Sequence, residues 1–426
     1  MFTHKRYFEY IIKYGMVLLL VLMPVNIIAD QVFNWDDCLK EAKSNHPDLL
    51  SARDKVDQAR AGKAAARSNL LPQLSTSVSA KTSESSGSDQ SETYAYSVSG
   101  EQLLFDGFKT RHKVNKADQT LKASEFDYQV TSSNIRLRLR RAFVLLLRAQ
   151  ELVGLTESIA LRRRQNVELI QLRYKAGREH RGSLLTEEAN LAQADFEAVQ
   201  AKRNLDLAQH RLNKELGRPQ IIPLKVAGAL EVVNLDRGKK DFEVLAKSTP
   251  FLQELTAKKE AARLGLETAK ADFFPRIYAT TSIGRSDSVW PAETETWSAK
   301  VSVSFPIFEG AGRVAEVSRS RAALSQAKAV QNSGRDTVMF TLAETWVDFE
   351  DAVDKILVQN KFLEAAGERA RITQAQYSTG LISFDDWIII ENDLVKTKKS
   401  FLDTQANALL AEADWFQAKG GTLDDK

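Results

Sequence analysis

The 426-residue chain is short of several things, and each shortage excludes a class of function. It has one cysteine, Cys38, so no internal disulfide and no multi-cysteine metal site can form. Five scattered histidines leave little for a zinc centre. The charge is almost balanced, 59 Lys+Arg against 56 Asp+Glu, and no basic run is interleaved with aromatics, which argues against a nucleic-acid partner. After the first thirty or so residues no stretch long enough for a membrane helix is free of charge, so entry into a membrane would need β-strands in a closed barrel. Nine prolines and twenty glycines are few for this length and read as punctuation.

Residues 1–29 place His4, Lys5, Arg6 and Lys13 before an apolar stretch at 16–25 and end on Ala29, the layout of a secretory signal peptide. Its apolar core is interrupted by Pro24 and Asn26, so it is too short to span a bilayer, and cleavage after Ala29 leaves 56 basic and 55 acidic side chains. Cys38 follows Trp35-Asp36-Asp37, which lacks the small apolar character of an acylation site, so no lipid anchor is expected.

The punctuation repeats. Pro47 and Pro250, Pro72 and Pro275, Phe105 and Phe308, Gly107 and Gly310, Tyr174 and Tyr377, Gly177 and Gly380, Leu191 and Leu394, and Gly217 and Gly420 are each 203 residues apart, with no slip of register. The chain therefore divides into a signal peptide at 1–29, a first repeat at 30–220, a linker at 221–242 carrying Pro223, and a second repeat at 243–426.

Each repeat changes period in the same places. Residues 47–70 and 250–274 read as helices that open on proline and stop before Pro72 and Pro275. The period then becomes two: Leu74, Thr76, Val78 and Ala80 alternate with Ser75, Ser77 and Ser79, while Ile277, Ala279, Thr281 and Ile283 alternate with Tyr278, Thr280 and Ser282. The return strand of the second repeat runs from Trp297 through Val301 and Val303 to Ile307. The intervening tips are rich in Ser, Glu and Asp and read as exposed loops. From Gly107 to Tyr174 and from Gly310 to Tyr377 there is no proline in 67 residues, and Leu342, Trp346, Phe349, Val353, Ile356 and Leu363 make a heptad seam. Such helices would reach about 100 Å. Further helices at 182–216 and 384–419 complete each repeat, and the two shorter helices together match the long one, so they could stack end to end beside it.

Four strands cannot close a barrel alone, so an oligomer is required, with Ser, Thr, Gln and Lys facing a wet lumen and Val, Ile, Leu and Trp facing lipid. Tyr94, Tyr96 and Trp297 could form the outer aromatic girdle. The alternative is a periplasmic coiled-coil scaffold without a pore.

These elements, with Asn45-His46-Pro47, Leu71-Pro72, Phe274-Pro275, Phe105-Asp106-Gly107, Phe308-Glu309-Gly310 and the Tyr-x-x-Gly turns at 174–177 and 377–380, resemble the TolC-like outer-membrane efflux proteins over essentially the whole mature chain. The resemblance implies an α+β membrane protein: long antiparallel coiled-coil helices forming an α-barrel, and four strands per chain contributing to a shared 12-stranded β-barrel in a homotrimer. It implies a channel-tunnel of the outer membrane, extending into the periplasm, that gives passive exit to cargo from an inner-membrane pump through a periplasmic adaptor. The residues themselves offer no nucleophile, base or metal constellation, so no enzymatic activity and no cofactor are expected. Asp386 takes the position of the family's constriction aspartate, nine residues after Tyr377; a second family aspartate is Ile389 here, so a double ring would need Asp385. One carboxylate per subunit would ring the tunnel and attract cations, although the same pair also suits the first turn of a helix. Ser183 stands where a carboxylate helps latch the tips in the family, and Arg178, His180 and Arg181 make the first tip basic, so Tyr377 would latch through a different network. The surfaces around Ala176, Gly177 and Arg178 and around Thr379, Gly380 and Leu381 would meet the adaptor.

Two other motifs are set aside. Gly310-Ala-Gly312-Arg-Val-Ala315 matches a dinucleotide fingerprint, but its repeat partner at Gly107 has one glycine and the preceding strand alternates and contains Pro306. His46-Pro47-Asp48 shares only the proline with Thr249-Pro250-Phe251, which leaves helix initiation as the common role. The basic runs at Arg136, Arg138, Arg140 and Arg141 and at Arg162, Arg163 and Arg164 read as solvated faces or partners of carboxylates on neighbouring helices.

Overall fold

The computed structural model describes residues 31–84, 90–218, 223–231, 237, 238 and 240–425. The expected signal peptide lies outside the described residues, as do the first hairpin tip at 85–89 and Pro219.

In chain order the elements are β1 (Gln31–Phe33), α1 (Trp35–Asn45), α2 (Pro47–Ser68), β2 (Gln73–Ser83), β3 (Ser91–Phe105), α3 (Lys109–Lys175), α4 (Arg181–Leu216), β4 (Leu224–Val226), α5 (Phe242–Ser248), α6 (Pro250–Ala271), β5 (Arg276–Asp287), β6 (Glu295–Ser304), α7 (Gly312–Thr379) and α8 (Phe384–Ala418). The expected helices and strands are present within a few residues of their limits. The long helices have 67 and 68 residues, and no helix among the described residues is long and apolar enough to cross a membrane.

Three details differ from the sequence reading. The short helices α1 and α5 and the parallel pair β1 and β4 were not anticipated. Asn34 and Asp37 cap the start of α1 reciprocally, and Leu224 of β4 is fully buried, so the linker carries part of the core. The last strand ends at Ser304 rather than Ile307, because Pro306 has no N–H to give the ladder; its carbonyl instead accepts from Arg313 Nη2 at 2.9 Å.

The four long strands form one antiparallel sheet in the order β2-β3-β5-β6. Its register sets Thr76 opposite Val98, Val98 opposite Ile283, and Ile283 opposite Trp297, so apolar residues share one face. On the other face Ser75 meets Ser99 at 3.1 Å and Ser77 meets Ser97 at 3.0 Å between hydroxyl oxygens. The apolar face is bare: Leu74, Val78, Trp297, Val301 and Val303 are exposed in the single chain.

The helices form a layer. The long α3 packs against α2 and α4 on one side and α6 and α8 on the other, and α7 packs against α6 and α8. Within each stack the joint is tight. Gly217, at the end of α4 with φ +73°, lies against the Asn45 and His46 backbone, and Gly420, past the end of α8 with φ +86°, lies against Pro250. The short helices do run end to end beside the long ones. The largest core cluster sits at this joint, where Cys38, Ile135, Leu139, Phe143, Leu212, Leu216 and Leu224 meet under α1. The heptad seam of α7 is buried at Leu342, Trp346 and Phe349 and half-exposed from Val353 onward.

Most arginines in the two runs on α3 are carboxylate partners, Arg136 instead donating to backbone carbonyls. Arg138 reaches Asp48 at 2.7 Å, Arg141 reaches Asp414 at 2.6 Å, and Arg162 holds Glu391 with two bonds of 2.7 and 2.5 Å. With Arg138 also 3.3 Å from Glu215, they clamp α2, α4 and α8 onto one helix.

Candidate functional site at the helical hairpin tips

At the end of the layer opposite the sheet, two turns join α3 to α4 and α7 to α8. Both are closed by the same pair of backbone bonds: Arg178 N to Arg173 O and Gly177 N to Tyr174 O in the first, Leu381 N to Gln376 O and Gly380 N to Tyr377 O in the second. This closure needs a left-handed residue, and Gly177 and Gly380 supply it with φ of +71° and +83°. Ala176 caps α3, Thr379 ends α7, and Ala176, Gly177, Arg178, Thr379, Gly380 and Leu381 are all exposed, Leu381 to 76%.

The two repeat-related tyrosines diverge. Tyr174 is exposed, whereas Tyr377 is fully buried and stacked on Trp387, with ring centroids 4.5 Å apart and planes 3° from parallel. Phe384 meets both rings edge-on, and the Arg173 guanidinium lies 4.5 Å from the Tyr377 ring centroid. Arg173 also donates to the Tyr377 carbonyl at 2.7 Å, tying the first hairpin to the last turn of α7.

A second tie is the hydroxyl of Tyr377, which donates to Glu179 Oε2 at 2.9 Å across 198 residues of sequence. The other carboxylate oxygen, Oε1, accepts from Ser183 Oγ at 2.9 Å. A carboxylate from four residues earlier thus reaches the position where none was expected, with Ser183 holding it. Burial, and then the Glu179 bond, raise the Tyr377 phenol above the ordinary tyrosine value. His180 caps α4, its Nδ1 accepting from Ser183 N at 3.2 Å.

Asp385 and Asp386 lie exposed in the first turn of α8. Asp386 accepts from Ser383 Oγ at 2.6 Å while its own N–H donates back to that oxygen at 3.2 Å, so it takes part in the helix cap. Tyr377 and Asp386 are joined through Trp387, but Ile389 is exposed and offers no second carboxylate. The sequence reading missed Glu179, Arg173 and the Trp387 stack. An aromatic directly after Asp386 was the available signal for the stack; nothing in the sequence pointed to Glu179.

Above the tips, Glu187 is fully buried, with Arg163 Nη1 at 3.2 Å, Asn166 Nδ2 at 3.2 Å and Asn190 Nδ2 at 2.8 Å. Arg163 also donates to Asn392 of α8, so this network fixes both hairpins to each other.

A rod-like helical layer with bare turns at one end and an amphipathic sheet with an exposed apolar face at the other has the architecture of a membrane-anchored protein. The chain belongs to the outer membrane efflux protein family, whose model matches residues 38–218 and 243–421. It is a protein of the outer membrane, and its family is one of efflux proteins rather than enzymes. It is similar to the outer membrane efflux protein BepC of Brucella suis biovar 1 (strain 1330), 21% identical over 392 residues that cover 91% of this chain and 85% of BepC. It is similar also to the cation efflux system protein CusC of Escherichia coli O157:H7, 22% identical over 402 residues covering 90% and 85%. The open-state crystal structure of the MtrE outer membrane channel of Neisseria gonorrhoeae shares the fold, with a TM-score of 0.81 at 20% identity over 94% of each chain. Among the described residues no group of three or more His, Cys, Asp or Glu could hold a metal ion.

Proposed function

We propose that three copies of this chain, each an internal duplication of 30–220 and 243–426 about the linker 221–242, assemble edge to edge into a channel-tunnel. The observation that carries this is the sheet: apolar on one face, polar on the other, with β2 and β6 as its two outer strands. Joining β6 of one copy to β2 of the next, three times, gives twelve strands with no free edge, an apolar exterior for outer-membrane lipid and a hydroxyl-lined lumen. The helical layer ends in step with it, at α2 and α4 on one side and α7 on the other. Exposed apolar residues on those sides, Phe196 and Val199 on α4 and Phe340, Val347 and Phe362 on α7, support the same closure. A scaffold outside the membrane would leave Leu74, Val78, Trp297, Val301 and Val303 in water, so the pore reading is preferred.

In this assembly the tips converge as the gate. Tyr377, through Glu179, holds the hairpins of each protomer together, and Asp386, with Asp385 beside it, lines the constriction and favours cations. The exposed turns at Ala176, Gly177 and Arg178 and at Thr379, Gly380 and Leu381 receive the periplasmic adaptor, which links the tunnel to an inner-membrane transporter. Cargo leaves passively, in efflux or type I secretion.

The test is conductance of the purified protein in a planar bilayer under a salt gradient. Discrete steps with cation preference, weakened by Asp386→Asn, are expected; an unchanged reversal potential in that variant removes Asp386 from the constriction.

A further inference from the structure

At mid-length of α3, far from the tips, two cavities adjoin. Ser133 and Gln417 line both, and Gln417 Nε2 donates to Asn134 Oδ1 at 3.0 Å beside them. The first, of about 270 Å³, lies between α1, α3 and α8 and has Trp35 and Phe416 as aromatic walls. The second, of about 320 Å³, is mainly apolar, with Val130, Pro250, Phe251 and Val338 in its lining.

The first cavity holds two cations and one carboxylate. Arg136 and Arg140 stand one turn apart on α3; the Arg136 guanidinium is 4.1 Å from the Phe416 centroid, and that of Arg140 is 5.0 Å from the Trp35 centroid. Arg136 donates through Nη1 to the carbonyls of Thr422, at 3.0 Å, and Asp425. Arg140 has Glu412 at 3.6 Å, beyond hydrogen-bond length. Burial lowers both guanidinium pKa values, so the fold leaves a positive site that an added anion would relieve. The Ser133 hydroxyl on the shared wall is buried with no hydrogen-bond partner among the described residues.

We propose that this groove binds an amphipathic monoanion, a carboxylic acid on an aromatic or short apolar body. Its acid group sits against Arg136 and Arg140 and takes the spare Ser133 donor, and its body lies along the aromatic walls outside the Arg136 guanidinium, which itself stands 5.7 Å from the Trp35 centroid and 4.1 Å from that of Phe416. The first cavity is walled by α1, α3 and α8 and not by α2, α4 or α7, whose outer sides meet neighbouring copies in the proposed assembly, so copies joined edge to edge leave it uncovered. It lies within one chain and does not depend on the pore reading.

The test is calorimetric titration of the full-length protein in lipid nanodiscs with 2-naphthoate, corrected with empty nanodiscs, beside neutral 2-naphthamide. Saturable binding of one naphthoate per chain is expected, at least tenfold weaker for the amide and at least tenfold weaker in Arg140→Gln. Glu412→Gln removes the competing carboxylate and should tighten binding several-fold, an effect that damage to the fold would not produce. Absence of saturable binding, equal affinity for acid and amide, or unchanged or weaker binding in Glu412→Gln overturns the proposal.

Discussion

Tyr377→Phe removes one atom from the tip and leaves the Trp387 stack and the Arg173 contact in place. What it deletes is the 2.9 Å bond from the phenol to Glu179, a bond to a charged acceptor from a fully buried ring. Hydrogen bonds to charged groups contribute about 1.5–3 kcal/mol, and Glu179 is only half-buried and keeps Ser183, so the lower end applies. About 1.5 kcal/mol shifts the latched-to-unlatched ratio of one protomer roughly tenfold. If three protomers release together, the open-to-closed ratio rises by on the order of a thousandfold. Glu179→Gln keeps a neutral acceptor and should give roughly half the free-energy effect. The assay is the open fraction of single channels in planar bilayers. A Tyr377→Phe channel with the open fraction of the parent would refute the latch. Alkaline pH offers an independent check. Burial and then the Glu179 bond raise the phenol's pKa, so the contribution is whole below the ordinary tyrosine value of about 10 and is lost as pH rises through the folded value. Of the six tyrosines after residue 29, Tyr377 should therefore ionise last in an ultraviolet titration, and Tyr377→Phe should remove that high-pH component.

Glu187→Leu leaves the buried Arg163 guanidinium without its carboxylate and should cost about 3–5 kcal/mol, whereas Arg163→Met with Glu187→Leu should recover most of it; the measurement is thermal melting of both variants. Gly217→Ala and Gly420→Ala each force a Cβ into backbone or Pro250 at a positive φ, so each should lower the melting temperature, with a cost of at least about 1 kcal/mol from the left-handed conformation alone. Gly177→Ala, where an added Cβ meets nothing, should cost only that conformational part. Cys38 is buried and its thiol pKa is pushed up to about 12, by burial first and then by Glu41 and Asp37, so iodoacetamide at pH 8 should label the native protein far more slowly than the denatured one.

The sequence by itself determined the periodic parts of this protein. Prolines at 47, 72, 250 and 275 bound the short helices because proline lacks an N–H and restricts its predecessor. Alternation at 74–80 and 277–283 set which residues share a face, since a strand turns its side chains over at every step. Glycine at 177 and 380 marked the tips because their closure needs a left-handed residue. The parts that depend on meetings between distant residues were decided only by tertiary structure. Leu224 looked like linker until β1 paired with it, and the sequence left Arg162 and Arg163 as either solvated charges or carboxylate partners, with Glu391 and Glu187 identified only by packing. At the site, Tyr377 was legible from its spacing to Gly380, but Glu179 was not, because its partner lies 198 residues away and the bond has no local signature. Local rules act within about one helical turn or one strand pair. The latch, the core joint and the arginine clamps are contacts between elements, whose geometry exists only once α3, α4 and α8 lie side by side.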